Sequence, residues 1–216
     1  MQSMVSIQAL KAVNLATSNE ETRYYLRGVY VTVAARHSLY VATNGHIMLV
    51  HREDLGKDDP DNTLLGSWIV PSEVIAKLKT KKHDTRPATL EQNGQMLVIS
   101  PADGSPGTMA RPIDGTFPDW RRLCPCAVDY KKDQAHNAFD PIYIGLFGKA
   151  AAAFGYNRRS FKLHPANDYG SPCAVTFGNH RKTFGIIMPL RTHDESWNGV
   201  PAWVDADLAP TAMAAE

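Results

Sequence analysis

The sequence predicts an α+β fold in which antiparallel sheets carry helices on one side. Three observations predict it. Short apolar stretches of helical period alternate along the chain with stretches rich in β-branched and aromatic residues. Tight-turn pairs, Asn44-Gly45, Asn93-Gly94 and Gly178-Asn179, separate neighbouring strand-like stretches, as antiparallel hairpins require. The order of one helix and then about three strands recurs three times, as a pattern without sequence identity.

In the first cycle, residues 6–17 read as the helix. Ser6 is a capping residue, and Ile7, Leu10 and Val13 or Asn14 recur at helical spacing. Residues 23–33 (RYYLRGVYVTV) read as a strand, because aromatic and β-branched residues dominate them. On such a strand Tyr24 and Tyr25 would point to opposite faces. Residues 36–38 make a turn, residues 39–43 a second strand, and residues 46–51 a third. The second cycle follows the charged loop 52–62. Ser67-Trp68-Ile69-Val70 is a short strand that leads through Pro71 into a helix over 72–79, with Val74, Ile75 and Leu78 on one face. Residues 88–92 and 95–100 form a hairpin, with a further strand near 107–112. In the third cycle the helix is 141–154, and the strands are 160–163, 173–177 and 183–188.

A net charge of +1 on 216 residues argues against a protein that coats nucleic acid indiscriminately, although a local basic face remains compatible with it. No apolar run approaches the ~20 residues of a bilayer span, and residues 1–15 lack a signal-peptide core, so a cytoplasmic protein with no membrane partner is expected. Cys124, Cys126 and Cys173 fit a reducing compartment and read as ordinary thiols. No catalytic set emerges. His46, His51, His136, His164 and His180 are scattered without metal-ligand spacing, and there is no P-loop or nucleophile elbow. Gly178-Asn179-His180-Arg181-Lys182 superficially looks like part of a metal-dependent nuclease, but it falls at a hairpin tip with no paired carboxylates. The chain is therefore expected to use no metal and no cofactor, and to be no enzyme.

Five motifs, in order, resemble the bacterial replicative DNA clamp, the β subunit of DNA polymerase III. Arg23-Tyr24-Tyr25-Leu26-Arg27-Gly28 is similar to the family's R-Y-Y-L-N-G, and Ala42-Thr43-Asn44-Gly45-His46 to its A-T-D-G-H. Ile69-Val70-Pro71 resembles I-V-P, and residues 114–123 (DGTFPDWRRL) resemble D-G-R-F-P-D-Y-R-R-V. Met188-Pro189-Leu190-Arg191 resembles the terminal M-P-M-R. The resemblance implies the DNA clamp fold, built from repeated (β)αβββ half-domains with helices on the inner face of a ring. Residues 1–120 resemble the family's middle domain, with its leading strand shortened or lost. Residues 121–191 hold a partial domain resembling the second half of the third, and 192–216 form a tail. Three half-domains stand where the family has six per subunit; four copies would supply twelve.

The same resemblance implies the sites. A pocket for clamp-binding peptides with leucine and phenylalanine anchors would be lined by Leu26, Thr43, Gly45, His46, Ile47, Met48, Pro118, Arg122, Leu123, Ile186, Met188, Pro189, Leu190 and Arg191. Asn44, Ile47 and Met48 depart from the family there, which implies a different partner preference. Double-stranded DNA would meet Lys11, Lys77, Lys79 and Lys149 on the helices, and Arg23, Tyr24 and Tyr25. Against these stand plain alternatives: core packing for the apolar set and ordinary solvated faces for the lysines. The implied function is a homo-oligomeric processivity factor that holds DNA and tethers a DNA polymerase or other proteins. A clamp-derived module that binds peptides without encircling DNA is the alternative, and a small metal-dependent nuclease is a third reading. Trp197, Val200, Trp203, Val204 and Leu208 make the tail's first part apolar enough to pack on a surface near the pocket.

Overall fold

The computed structural model describes residues 2–55, 63–79, 86–124, 137–157, 160–164, 166 and 170–190. Arg191, the tail, Cys126 and His136 lie outside the described residues.

The chain opens with a strand, β1 (Gln2–Val5), in which Ser3 and Val5 face inward. The sequence reading shortens or loses this strand; it is present, four residues long. Helix α1 (Ile7–Val13) follows at once, with the Ser6 hydroxyl accepting from the Ala9 amide at 3.2 Å. Its Ile7, Leu10 and Val13 are buried, as the helical spacing predicts. Burying side chains of this size contributes about 1.5–3 kcal/mol each. Three antiparallel strands complete the first cycle: β2 (Gly28–Ala34), β3 (His37–Thr43) and β4 (Ile47–Asp54).

The stretch before β2 departs from the expected strand. Tyr24–Leu26 is a 3-10 turn, closed by the Leu26 amide on the Arg23 carbonyl at 2.8 Å and the Arg27 amide on that of Tyr24 at 3.0 Å. Tyr24 and Tyr25 therefore meet edge-to-face, with ring centroids 5.7 Å apart, instead of alternating across a sheet. Aromatic density suggested a strand, but only Leu26 of this turn is fully buried, and the ladder starts at Gly28.

The second cycle is β5 (Gly66–Pro71), α2 (Ser72–Lys77), β6 (Ala88–Asn93), β7 (Met96–Ser100) and β8 (Thr108–Ala110). The third is α3 (Pro141–Ala153), β9 (Lys162–His164), β10 (Cys173–Thr176) and β11 (Thr183–Ile187). Each of the first two cycles lends its leading strand to the other. β1 pairs with β6, and β5 pairs with β2. The resulting sheets run β1-β6-β7-β8 and β5-β2-β3-β4-β11-β10-β9, every described pairing being antiparallel. β4 and β11 join the first and third cycles into one seven-stranded sheet.

Helix α1 packs against both α2 and α3, so the helices share one layer. The main core lies between them and the sheets, and includes Leu10, Tyr40, Leu49, Ile75, Leu90 and Phe147. A second, smaller core sits on the opposite face of the seven-stranded sheet, formed by Leu39, Val41, Met48, Val50, Trp120 and Ile186. No helix among the described residues is long and apolar enough to cross a membrane.

Candidate functional site

The smaller core on the outer face holds two of the expected pocket residues, Met48 and Ile186, both buried. Strand alternation decides which residues reach it. On β4, Met48 and Val50 join this outer face, whereas Ile47 and Leu49 enter the helix-side core. Ile186 of β11 stands directly opposite Met48 in the ladder. Residues from the first and third cycles thereby meet across one strand pair. The segment leaving β8 then crosses the outer face. Phe117 stacks on Tyr30, with centroids 5.0 Å apart, and Trp120 packs near Phe184 at 6.2 Å. Trp120 opens a 3-10 turn (Trp120–Leu123) on which Arg122 and Leu123 stand exposed. The Arg122 guanidinium pairs with Asp119 at 3.3 Å, and Pro118 is exposed just before it.

At the other end, the Thr43–Ile47 turn is held by side chains. Asn44 Oδ1 accepts from the His46 and Ile47 amides, both at 2.9 Å. The Thr43 hydroxyl donates to the Ile47 carbonyl at 2.7 Å and accepts from the Gly45 amide at 3.1 Å. Gly45 takes a φ of +91°, the left-handed region that disfavours side chains. A Cβ there would also lie 2.8 Å from an Arg23 Nη1, so the turn and the Arg23 side chain touch. Met188 is half-buried, its amide donating to the His46 carbonyl at 2.8 Å. Pro189 is buried, while Leu190 is 46% exposed and bridges to Ala138. Leu26 and Thr43 are buried. Thirteen of the fourteen expected pocket residues lie among the described residues, Arg191 being outside them.

Tyr143, which sequence reasoning passed over, belongs with them. Its ring stacks on His46 with centroids 5.1 Å apart, and the two line a small cleft of about 360 Å³ with Thr17, Ser18, Asn19, Glu20 and Asn44. The signal for it was absent from the sequence, because the contact joins the start of α3 to a turn in another cycle. A neighbouring cleft of about 480 Å³ runs past Tyr24, Arg27, Pro71, Ser72 and Glu73.

Of the expected DNA-facing residues, Lys11, Lys77 and Lys149 lie on the three helices, Lys79 lies just past α2, and Arg23, Tyr24 and Tyr25 lie at the 3-10 turn before β2. Lys77, Lys79 and Lys149 are exposed, and Lys11 is half-buried. Arg23 pairs with Glu20 at 3.3 Å, and Tyr24 is 51% exposed. Among the described residues no group of histidine, cysteine or acidic side chains is arranged to hold a metal ion. Burial pushes the Cys124 thiol up, with Asp119 nearby adding to this and Arg121 opposing it, so it stays protonated at neutral pH.

Comparison with known proteins fits this arrangement. The family profile described as DNA polymerase III beta subunit, central domain, matches residues 1–119. The beta sliding clamp of Vibrio cholerae is 29% identical over 117 residues, which is 54% of this chain and 30% of that protein. Among solved structures, the Bartonella birtlesii sliding clamp bound to griselimycin superposes with a TM-score of 0.67 at 16% identity, covering 88% of this chain and 66% of that one. The Bacillus subtilis polymerase sliding clamp gives 0.67 at 15% identity, covering 89% and 65%. The chain thus spans under a third of the curated relative, and just under two thirds of the solved clamps.

Proposed function

The chain belongs to the DNA polymerase III β-subunit family, and we propose that it acts as a clamp-like processivity factor, holding duplex DNA without reading sequence and tethering a polymerase or other partners through a peptide groove. It works by binding, not by catalysis, in the cytoplasm, as a homo-oligomer. Residues 1–120 supply one clamp domain and 121–191 a partial one. The observation that supports this reading best is the β4–β11 pairing, which sets Met48 against Ile186, one expected pocket residue from each of two cycles. The exposed Leu123 and Leu190 and the half-buried Met188 would offer apolar contacts beside the polar Arg122, the combination by which peptide anchors are bound. DNA would lie along the helix layer, meeting Lys77 and Lys149 through its phosphates.

Calorimetry with a short peptide bearing leucine and phenylalanine anchors tests it. Binding near micromolar strength is expected, about −8 kcal/mol. No binding by the natural chain would reject the groove. A second reading, a module that binds such peptides without encircling DNA, is favoured by the net charge of +1 and by the half-burial of Lys11. Retention on closed-circular DNA, with loss on the linear form, separates the two: only an encircling protein shows the difference.

A further inference from the structure

The last strands of the three cycles are β4, β8 and β11. Two of them pair with each other, β4 with β11, antiparallel. The third, β8, ends the four-stranded sheet, and no described strand pairs with its outer edge. An open edge is a template for another chain, and proteins commonly blunt it with charge. The two sheets differ in this respect. β9, at the end of the seven-stranded sheet, carries the exposed Lys162. β8 carries Met109, which is 59% exposed. Strand alternation explains where Met109 points. Leu97 and Ile99 of β7 enter the main core, so Val98 and its ladder partner Met109 lie on the opposite face. Met48 holds the corresponding kind of position on β4, on the face away from the helices. There Ile186 stands opposite it in the next strand, and Met48 is only 1% exposed. Met109 has no described strand opposite, and its apolar surface stays in water.

We propose that β8 is a self-association edge, at which a second copy of this chain adds its own β8, antiparallel, about a two-fold axis. Two four-stranded sheets then become one continuous sheet across two chains, as β11 continues the sheet of β4 within one chain. A two-fold contact must be self-complementary, and this edge is. With the axis at Met109, that side chain meets its own copy, Thr108 faces Ala110, and Arg111 faces Gly107. No like charges stand opposite each other in this register. Pro106 and Pro112 flank the stretch. Without amide hydrogens they cannot extend the ladder, which confines pairing to the residues between them and holds the register. One short strand pair is a small contact, so association depends on concentration.

This inference rests on the homo-oligomer reading, to which it gives one defined contact, and the test separates their failures. Sedimentation of the natural chain over a range of concentrations should show self-association. Met109→Glu sets two carboxylates against each other at the axis, on a side chain exposed enough for the fold to accept the change. Self-association should weaken about tenfold, while the melting temperature of the dilute chain stays the same. Met109→Cys should yield a disulfide-linked dimer on mild oxidation, above the level given by the natural chain's own cysteines. Gln95→Cys, exposed at the hairpin turn of the same sheet, should not. If the natural chain associates but the glutamate variant associates as tightly, or the cysteine at 109 links no better than the one at 95, β8 is not the contact and the oligomer forms elsewhere. If the natural chain stays monomeric throughout, both readings fall.

Discussion

Met188 and Leu26 stand at the same expected pocket, but burial makes them different experimental tools. Leu26 is buried, so a charge placed there damages the fold before it reports on binding. Met188 is half-buried, and its backbone is held by the His46 carbonyl whatever the side chain. Met188→Glu should weaken peptide binding by about 2–3 kcal/mol, the cost of carrying a charge into an apolar groove. Its denaturation midpoint should stay close to that of the natural chain; equal binding by the variant would remove Met188 from the groove. His51 makes a separate prediction. It is buried between Tyr40 and Phe154, with a ring nitrogen 2.7 Å from the Thr183 hydroxyl. Burial, aided by Lys182, lowers its pKa from 6.5 to about 4. The unfolded chain therefore binds this proton below pH 6.5 while the folded chain refuses it, so stability falls as pH drops towards 4. Between pH 7 and pH 5 this group alone removes about 2 kcal/mol. Glu53, pushed up by burial, works in the opposite sense, because it takes a proton more readily when folded. Urea unfolding at the two pH values should show a smaller loss for His51→Leu than for the natural chain. Identical losses would contradict the assignment.

Strand β11 is the element on which the proposed groove depends, because among the described strands it joins the third cycle to β4. Gly185 permits its close packing on α3. A Cβ there would lie 2.5 Å from Phe147 Cε1 and 3.1 Å from the Met48 carbonyl. Gly185→Ala should therefore cost about 1–3 kcal/mol by overpacking. Gly148→Ala on α3, where an added Cβ meets nothing within 4 Å, should instead stabilise by about 1 kcal/mol. Denaturant titration of both variants checks the contrast; a neutral Gly185→Ala would show that α3 can shift without strain. Most of these elements were legible in the sequence. The hairpin strands announced themselves through Asn-Gly and Gly-Asn turns, and α1 through Ser6 and its apolar spacing. β1 hid because its inward positions include a serine. Ser3 is satisfied in the core by donating to the Leu64 carbonyl at 2.7 Å, a contact no local pattern reveals. The Tyr24–Leu26 turn was misread because aromatic residues suit strands, and only tertiary placement shows that Tyr24 faces outward. The expected pocket residues came from family resemblance. Which of them share a face, Met48 with Ile186 and Ile47 on the other side, came from the ladder.

At the scale of the whole molecule, binding to DNA should be governed by salt. If Lys77 and Lys149 each neutralise one phosphate, replacing both by alanine should reduce the slope of log affinity against log salt by about 2, without sequence preference. Fluorescence anisotropy at several salt concentrations measures it, and an unchanged slope would move the DNA interface elsewhere. Three cycles per chain would give twelve in an assembly of four copies, so sedimentation should find an oligomer. A stable monomer would leave only the non-encircling reading. The exchange of leading strands between the first two cycles has a consequence for how the molecule is made. Gln2 pairs with Glu91 and Val5 with Ala88, so this strand, once synthesised, has no partner until almost ninety residues later. At roughly 5–20 residues per second, that wait is on the order of 4–20 seconds. Meanwhile Gln2–Val5 is an unpaired strand, open to the wrong neighbour. The first cycle cannot mature ahead of the second, since its own sheet also lacks β5 until residues 66–71 emerge. Synthesis therefore delivers the two cycles together, as one cooperative step, however modular the repeated pattern looks in the sequence.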